Sequence, residues 1–168
     1  MTVRVVGPLQ WIVYPSLVAM LATIVMATPV KVFGLSLPEP VVPMALAFAW
    51  PLIRPSIIGP AALFALGLYL DLLWFAPLGM WGLSLLAVYG VILAMRQLIV
   101  GQETAVLFAW FGGCTLFAFL LAYLVMTLAA GRAPSALSLV WQILATLVMF
   151  IPAAWMIETF DDGDVRFR

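Results

Sequence analysis

Long apolar runs broken by short polar links dominate this sequence. Between Leu9 and Ile157, charge is carried only by Lys31, Glu39, Arg54, Asp71, Arg96, Glu103 and Arg132. Over all 168 residues, 67% are hydrophobic and 8% charged, with a formal net charge of zero. A soluble domain has about a quarter of its residues charged, so this chain has too little polar surface to cover itself in water. A soluble enzyme, a disordered tail and a basic-faced nucleic-acid binder are excluded together. The class is a polytopic membrane protein. One crossing takes about 20 residues, so there is room for roughly six helical spans with short loops and no extramembrane domain. Barrel strands would need far more polar lumen positions than the sequence has.

The apolar runs place spans at about 9–28, 41–53, 57–75, 78–95, 104–128 and 137–157, followed by a solvated tail at 158–168. The first run exceeds the ~7–15 apolar residues of a signal peptide, which favours a retained helix over cleavage after Val25-Met26-Ala27. The second run, with Pro43 and Pro51, would reach only about 20 Å of a roughly 30 Å hydrocarbon core. It must begin earlier, tilt little or rely on neighbours. Its prolines free carbonyls that neighbours can satisfy, or they open a ligand cavity. Arg54-Pro55-Ser56 reads as a tight turn, because proline biases the preceding residue away from helix. Ala76-Pro77-Leu78-Gly79 reads as a minimal hairpin.

With six spans both termini share a side with Arg54 and Arg96. That side collects Arg4, Arg54, Arg96, Arg166 and Arg168, and the other holds only Lys31 and Arg132. The positive-inside rule puts the first group in the cytoplasm. Trp11, Tyr14, Trp50 and Trp155 then fall near the inner ends, and Trp74, Trp81 and Trp141 near the outer ends, as interfacial belts would; bundle packing is the competing account.

Candidate chemistry is sparse. There is no histidine, so the usual proton shuttle and commonest metal ligand are missing. The lone Cys114 lies in an apolar run and reads as a packing residue. Asp161-Asp162-Gly163-Asp164 lacks the ligand spacing of a calcium loop, and no nucleophile elbow, zinc-helix or phosphate-loop motif is present. The expectation is no catalytic residue, no metal and no cofactor. Gly112-Gly113 reads as close packing or a local bend.

Asp71 is the one acid inside a span, about 6 Å below the outer end of its helix. Intramembrane acids face protein or water. Gly59, Leu63, Gly67 and Asp71 recur at intervals of four and share one face, on which the glycines admit a close helix contact. No acid or histidine at similar depth completes a proton or ion relay, so a structural role is favoured over transport or catalysis. Asp71 is expected to face inward and anchor the Pro77-Leu78-Gly79 hairpin through backbone amides, water or an outer-side cation. Arg132 suits a carboxylate better than Lys31 does.

The stretch from Trp50 to Gly79 is more specific. Trp50-Pro51-Leu52-Ile53-Arg54-Pro55, then Gly59, Gly67-x-x-x-Asp71-Leu72-Leu73 and Pro77-Leu78-Gly79 resemble in order and spacing the central signature of MreD, a small integral membrane protein of bacteria. The match covers about 30 residues; elsewhere length and hydropathy agree. Trp74 and the acidic tail depart from the family pattern. The resemblance implies a non-enzymatic, rod shape-determining part of the machinery that elongates the lateral cell wall in the bacterial inner membrane. It implies the bitopic protein MreC as partner, linked to MreB filaments and to a RodA-like glycosyltransferase with its transpeptidase. Trp50, Arg54, Pro55, Gly59, Gly67, Asp71, Pro77, Gly79 and, outside the motif, Arg132 are the structural or interaction candidates. The family is similar in fold to the vitamin-binding S-components of ECF transporters, so the alternative is a substrate-binding transporter subunit. Few polar groups could converge on an outer cavity, which favours the scaffold. Membrane lipid is the remaining expected contact; nucleic acid is not.

Overall fold

The computed structural model describes residues 4–6, 9–27, 31–32, 35–36, 39–131, 135–161 and 165–167. The body is all helical. Helix α1 (Tyr14–Ala27) continues a π-helical turn at Leu9–Val13. Then come α2 (Pro43–Ile53), α3 (Ile58–Leu73), α4 (Met80–Ile99), α5 (Thr104–Ala130), α6 (Ala136–Leu147) and α7 (Phe150–Asp161). Two short ladders sit at the margins. Strand β1 (Arg4–Val6) pairs in parallel with β4 (Val165–Phe167), and β2 (Lys31–Val32) pairs antiparallel with β3 (Leu35–Ser36).

Among the described residues, three helices are long and apolar enough to cross a membrane: Met80–Ile99, Thr104–Ala129 and the interrupted Ala136–Phe160. Trp11–Ala27, Pro43–Ile53 and Ile58–Leu73 are apolar but shorter. The sixth run, read as one span from 137 to 157, is in fact two helices. Pro152 has no amide to give the carbonyl of Val148, and a proline ring crowds the carbonyl four residues back. The ladder tightens there: Met149 N donates to Thr146 O (2.9 Å) and Ile151 N to Val148 O (3.1 Å).

Helix α2 explains how a short apolar helix is used. Its 11 residues span about 16 Å at 1.5 Å each, and all from Pro43 to Leu52 are buried. It lies inside the bundle against α1, α3, α4, α5 and α7. Its first turn docks at the α6–α7 break, where Val41 N donates to Thr146 Oγ1 (3.1 Å). From there it runs alongside α7, so its Arg54 end shares a side with the end of α7. The start of the chain is on that side too, since Trp11 packs edge-on against Phe160 with ring centroids 4.7 Å apart.

The core is built from α2 together with the inward faces of α3, α4 and α5: Phe48, Trp50, Leu63, Leu70, Leu85, Val88, Ile92 and Phe111 are almost fully buried. The outer surface is apolar, with Leu21, Val25, Leu72, Leu120, Leu128 and Ile151 well exposed. Of the aromatic residues assigned to interfacial belts, Trp11, Trp50 and Trp81 are instead buried in the bundle, and only Tyr14, Trp141 and Trp155 are mostly exposed. Core packing accounts for three of the seven aromatic positions, and Trp74 is half-buried.

Candidate functional site

Helices α3 and α4 pack more intimately than any other pair. The reason lies at Gly67: a Cβ there would run into the Cα and N of Gly82 and come within 2.7 Å of the Trp81 carbonyl carbon. Backbone meets backbone at this crossing, so nothing larger than hydrogen fits without parting the helices. Close approach through glycine is how helices gain contact in lipid, where burial itself offers no drive. Gly59, on the same stripe, is different. A Cβ there would sit at ordinary contact distance, 3.6 Å from Tyr89 and 3.8 Å from Trp50. Leu63 between them is fully buried.

The α3–α4 hairpin closes on Asp71, which is 1% exposed. Its Oδ2 accepts from Gly79 N (2.7 Å) and its Oδ1 from Trp81 N (3.0 Å). Gly79, with φ of 91°, is the residue that caps α4. It has no side chain to accept from the orphan amides of the first turn, a task that normally falls to Ser, Thr, Asp or Asn at that position. Asp71 performs it from the preceding helix, with its negative charge at the positive end of the α4 dipole. The turn is held further by Ala76 N donating to Asp71 O (2.9 Å) and Met80 N to Pro77 O (3.1 Å). Both carboxylate oxygens are taken by amides, and among the described residues Asp71 meets no cation. Arg132 lies outside the described residues, as does the Lys31 side chain. Trp74 stacks edge-on against Trp81, which does the same against Phe119. The indole nitrogens of Trp50 and Trp74 are buried without a partner among the described residues.

The opposite end of the same helices carries the other candidates. Trp50 O accepts from Arg54 N (2.9 Å), ending α2, and Arg54 and Pro55 are exposed in the turn. Tyr89 Oη donates to Ser56 O (3.1 Å) and accepts from Ser56 N (3.3 Å). Arg96 Nε donates to Leu52 O (3.2 Å), satisfying a carbonyl at the end of α2. Thus the Trp50–Gly79 stretch is tied to α4 at both ends. Sequence reasoning missed Gly82, Tyr89, Arg96 and Thr146 as partners; a second glycine just past the hairpin was the one legible signal for Gly82.

A groove of about 410 Å³ runs between α4 and α5, lined by Val91, Val106, Ala109, Trp110, Gly113, Cys114 and Phe117. Its walls are apolar apart from the Cys114 thiol. No group of three His, Cys, Asp or Glu that could hold a metal exists among the described residues. The arrangement is built to hold helices together. Asp71, the one acid buried among the described residues, has both carboxylate oxygens on backbone amides. The molecule so defined is a helical bundle with an apolar exterior and membrane-length helices. Comparison with protein-family models, with curated proteins and with solved structures finds no match for this chain.

Proposed function

We propose that the chain is a six-span, non-enzymatic membrane scaffold of the MreD type, which supports cell-wall elongation in the bacterial inner membrane beside an MreC-like bitopic partner. The observation that carries the reading is the use of the motif residues. Gly67 and Asp71, with Pro77 and Gly79, build a rigid α3–α4 hairpin, and at the other end Ser56 on Tyr89 and Leu52 O on Arg96 tie the α2 end and its turn to α4. A motif whose buried residues Gly67 and Asp71 serve architecture, with Arg54 and Pro55 exposed beside them, suits a scaffold better than an enzyme. The six-span topology with cytoplasmic termini draws support from geometry: Arg4 and Arg166 lie in one short ladder, Arg4 opposite Val165 and Val5 opposite Arg166, on the side that also holds Arg54 and Arg96. Basic residues gathered at one end belong in the cytoplasm.

Affinity purification from native membranes followed by mass spectrometry tests the reading. Recovery of a bitopic MreC-like protein with cell-wall synthases is the expected result, together with loss of rod shape on depletion. Recovery of an ATPase module would overturn it in favour of the transporter subunit. Single cysteines at Ser36, Ala76, Gln102 and Asp162 in a Cys114→Ala background, treated with an impermeant thiol reagent, test the topology. Labelling from outside at Ser36 and Ala76 alone is expected. Labelling at Asp162 would overturn it.

A further inference from the structure

The two halves of the bent last helix are seated very differently. Helix α7 packs on α2 and α5 and buries Ala153 and Met156. Helix α6 packs chiefly on α5, and Thr146 is its single buried residue. Its outer side is bare: Leu137, Val140, Trp141 and Leu144 are about half exposed or more. The joint between the halves, Val148–Met149, is where Pro152 interrupts the regular ladder and three-residue closures replace it. Across from the joint, Thr146 Oγ1 accepts from Val41 N at 3.1 Å while donating to Gln142 O at 2.8 Å. The following amides of the α2 entry have partners of their own, Val42 N on Pro40 O and Met44 N on Val41 O. The Val41 amide, at a fully buried residue, therefore depends on the α6 hydroxyl.

We propose that α6 is a hinged arm that swings about the Val148–Met149 joint, with the Thr146 hydroxyl as its latch on the first turn of α2. Latched, α6 holds the α2 entry through Thr146 Oγ1. Released, it uncovers the Val41 amide beside the apolar Val41 and Met44 side chains. The side chains that oppose the motion are Leu139, Ile143 and Leu147 beside Thr146, and the other face of α6 is exposed, whereas α7 is held by its contacts with α2. A single buried hydrogen bond and one proline thus divide a fixed half from a movable half. The inference does not depend on the scaffold reading.

Spin-label distance measurements on the full chain in lipid nanodiscs test it, in a Cys114→Ala background. One label pair joins α6 to α4 (Ser138→Cys with Leu83→Cys), and a control pair joins α7 to α4 (Glu158→Cys with Gln97→Cys). Thr146→Val, which keeps the shape but removes the acceptor, is expected to add a second distance to the α6 pair and leave the α7 pair unchanged. Thr146→Ser should restore the single distance. Adding Pro152→Ala to Thr146→Val should abolish the second distance by making the helix continuous. An unchanged α6 pair in Thr146→Val, or a spread in both pairs, would overturn the proposal. So would a second distance that survives Pro152→Ala. Should Thr146→Val fail to fold, the otherwise wild-type chain decides on warming: the α6 pair should broaden at a lower temperature than the α7 pair, and equal broadening of the two refutes the hinge.

Discussion

The α3–α4 and α5–α6 hairpins are made from similar material and behave as opposites. Each joins two apolar helices, and each has glycines in helix interiors. In the first, Gly67 meets the Gly82 backbone, and Asp71 ties the turn through two amides. In the second, a Cβ at Gly112 would touch only Leu147, at 3.8 Å, and one at Gly113 would meet nothing within 4 Å. The same residue type marks an obligatory contact in one place and an open groove in the other. A glycine in an apolar helix permits close approach; whether the approach occurs depends on what the chain brings opposite it.

Substitutions at four positions probe that contrast. Gly67→Leu should be the most damaging, because the added atoms strike backbone that cannot move aside. Gly67→Ala alone should exceed the ~1–3 kcal/mol of ordinary overpacking, read as lost thermal stability in detergent and lost partner recovery. A mild effect would mean that the two hairpins do not differ at backbone level.

Next comes Asp71→Ala, which strips acceptors from the amides of Gly79 and Trp81. The buried Trp81 amide alone is worth about 1–3 kcal/mol when left unsatisfied. Asp71→Asn should recover only part of this, since its NH2 faces an N–H donor. Equal stability of Asp71→Leu and wild type would remove the anchor from the comparison.

Tyr89→Phe should cost less, about 0.5–1.5 kcal/mol for the exchange it makes with Ser56. Its effect should be confined to the Arg54 end, seen as faster hydrogen exchange of the Ser56 amide with the Trp81 amide unchanged. Spread to both ends would show the hairpin to be less rigid than the Gly67 crossing implies.

The smallest effect belongs to Gly113→Ala. Nothing crowds the site, and alanine is favoured over glycine in a helix interior by up to about 1 kcal/mol, so thermal stability should hold or rise slightly. If stability holds while recovery of the proposed partner falls, the α4–α5 groove that Gly113 lines is an interface with another chain.

Much of the architecture is legible in the order of residues alone. The apolar runs and their polar breaks locate the helices, because a chain with 8% charge must bury or embed nearly everything and proline and glycine punctuate what is left. Asp71, the lone acid within the apolar run that forms α3, points inward for the same reason, and the short Pro77-Leu78-Gly79 link puts backbone amides within its reach. The Pro152 break escapes such a reading because a long hydropathy signal hides a local loss of one amide. The role of Trp50 and Trp81 is hidden because an indole suits an interface and a core alike. That α2 is a buried half-helix resting on α7, that Gly67 meets Gly82, and that Thr146 serves the α2 entry are decided only in three dimensions. Hydropathy and punctuation are properties of neighbouring residues and can be summed along the chain. Backbone clearance and hydrogen-bond partnership belong to pairs far apart in sequence, and they exist only once the helices have taken their places.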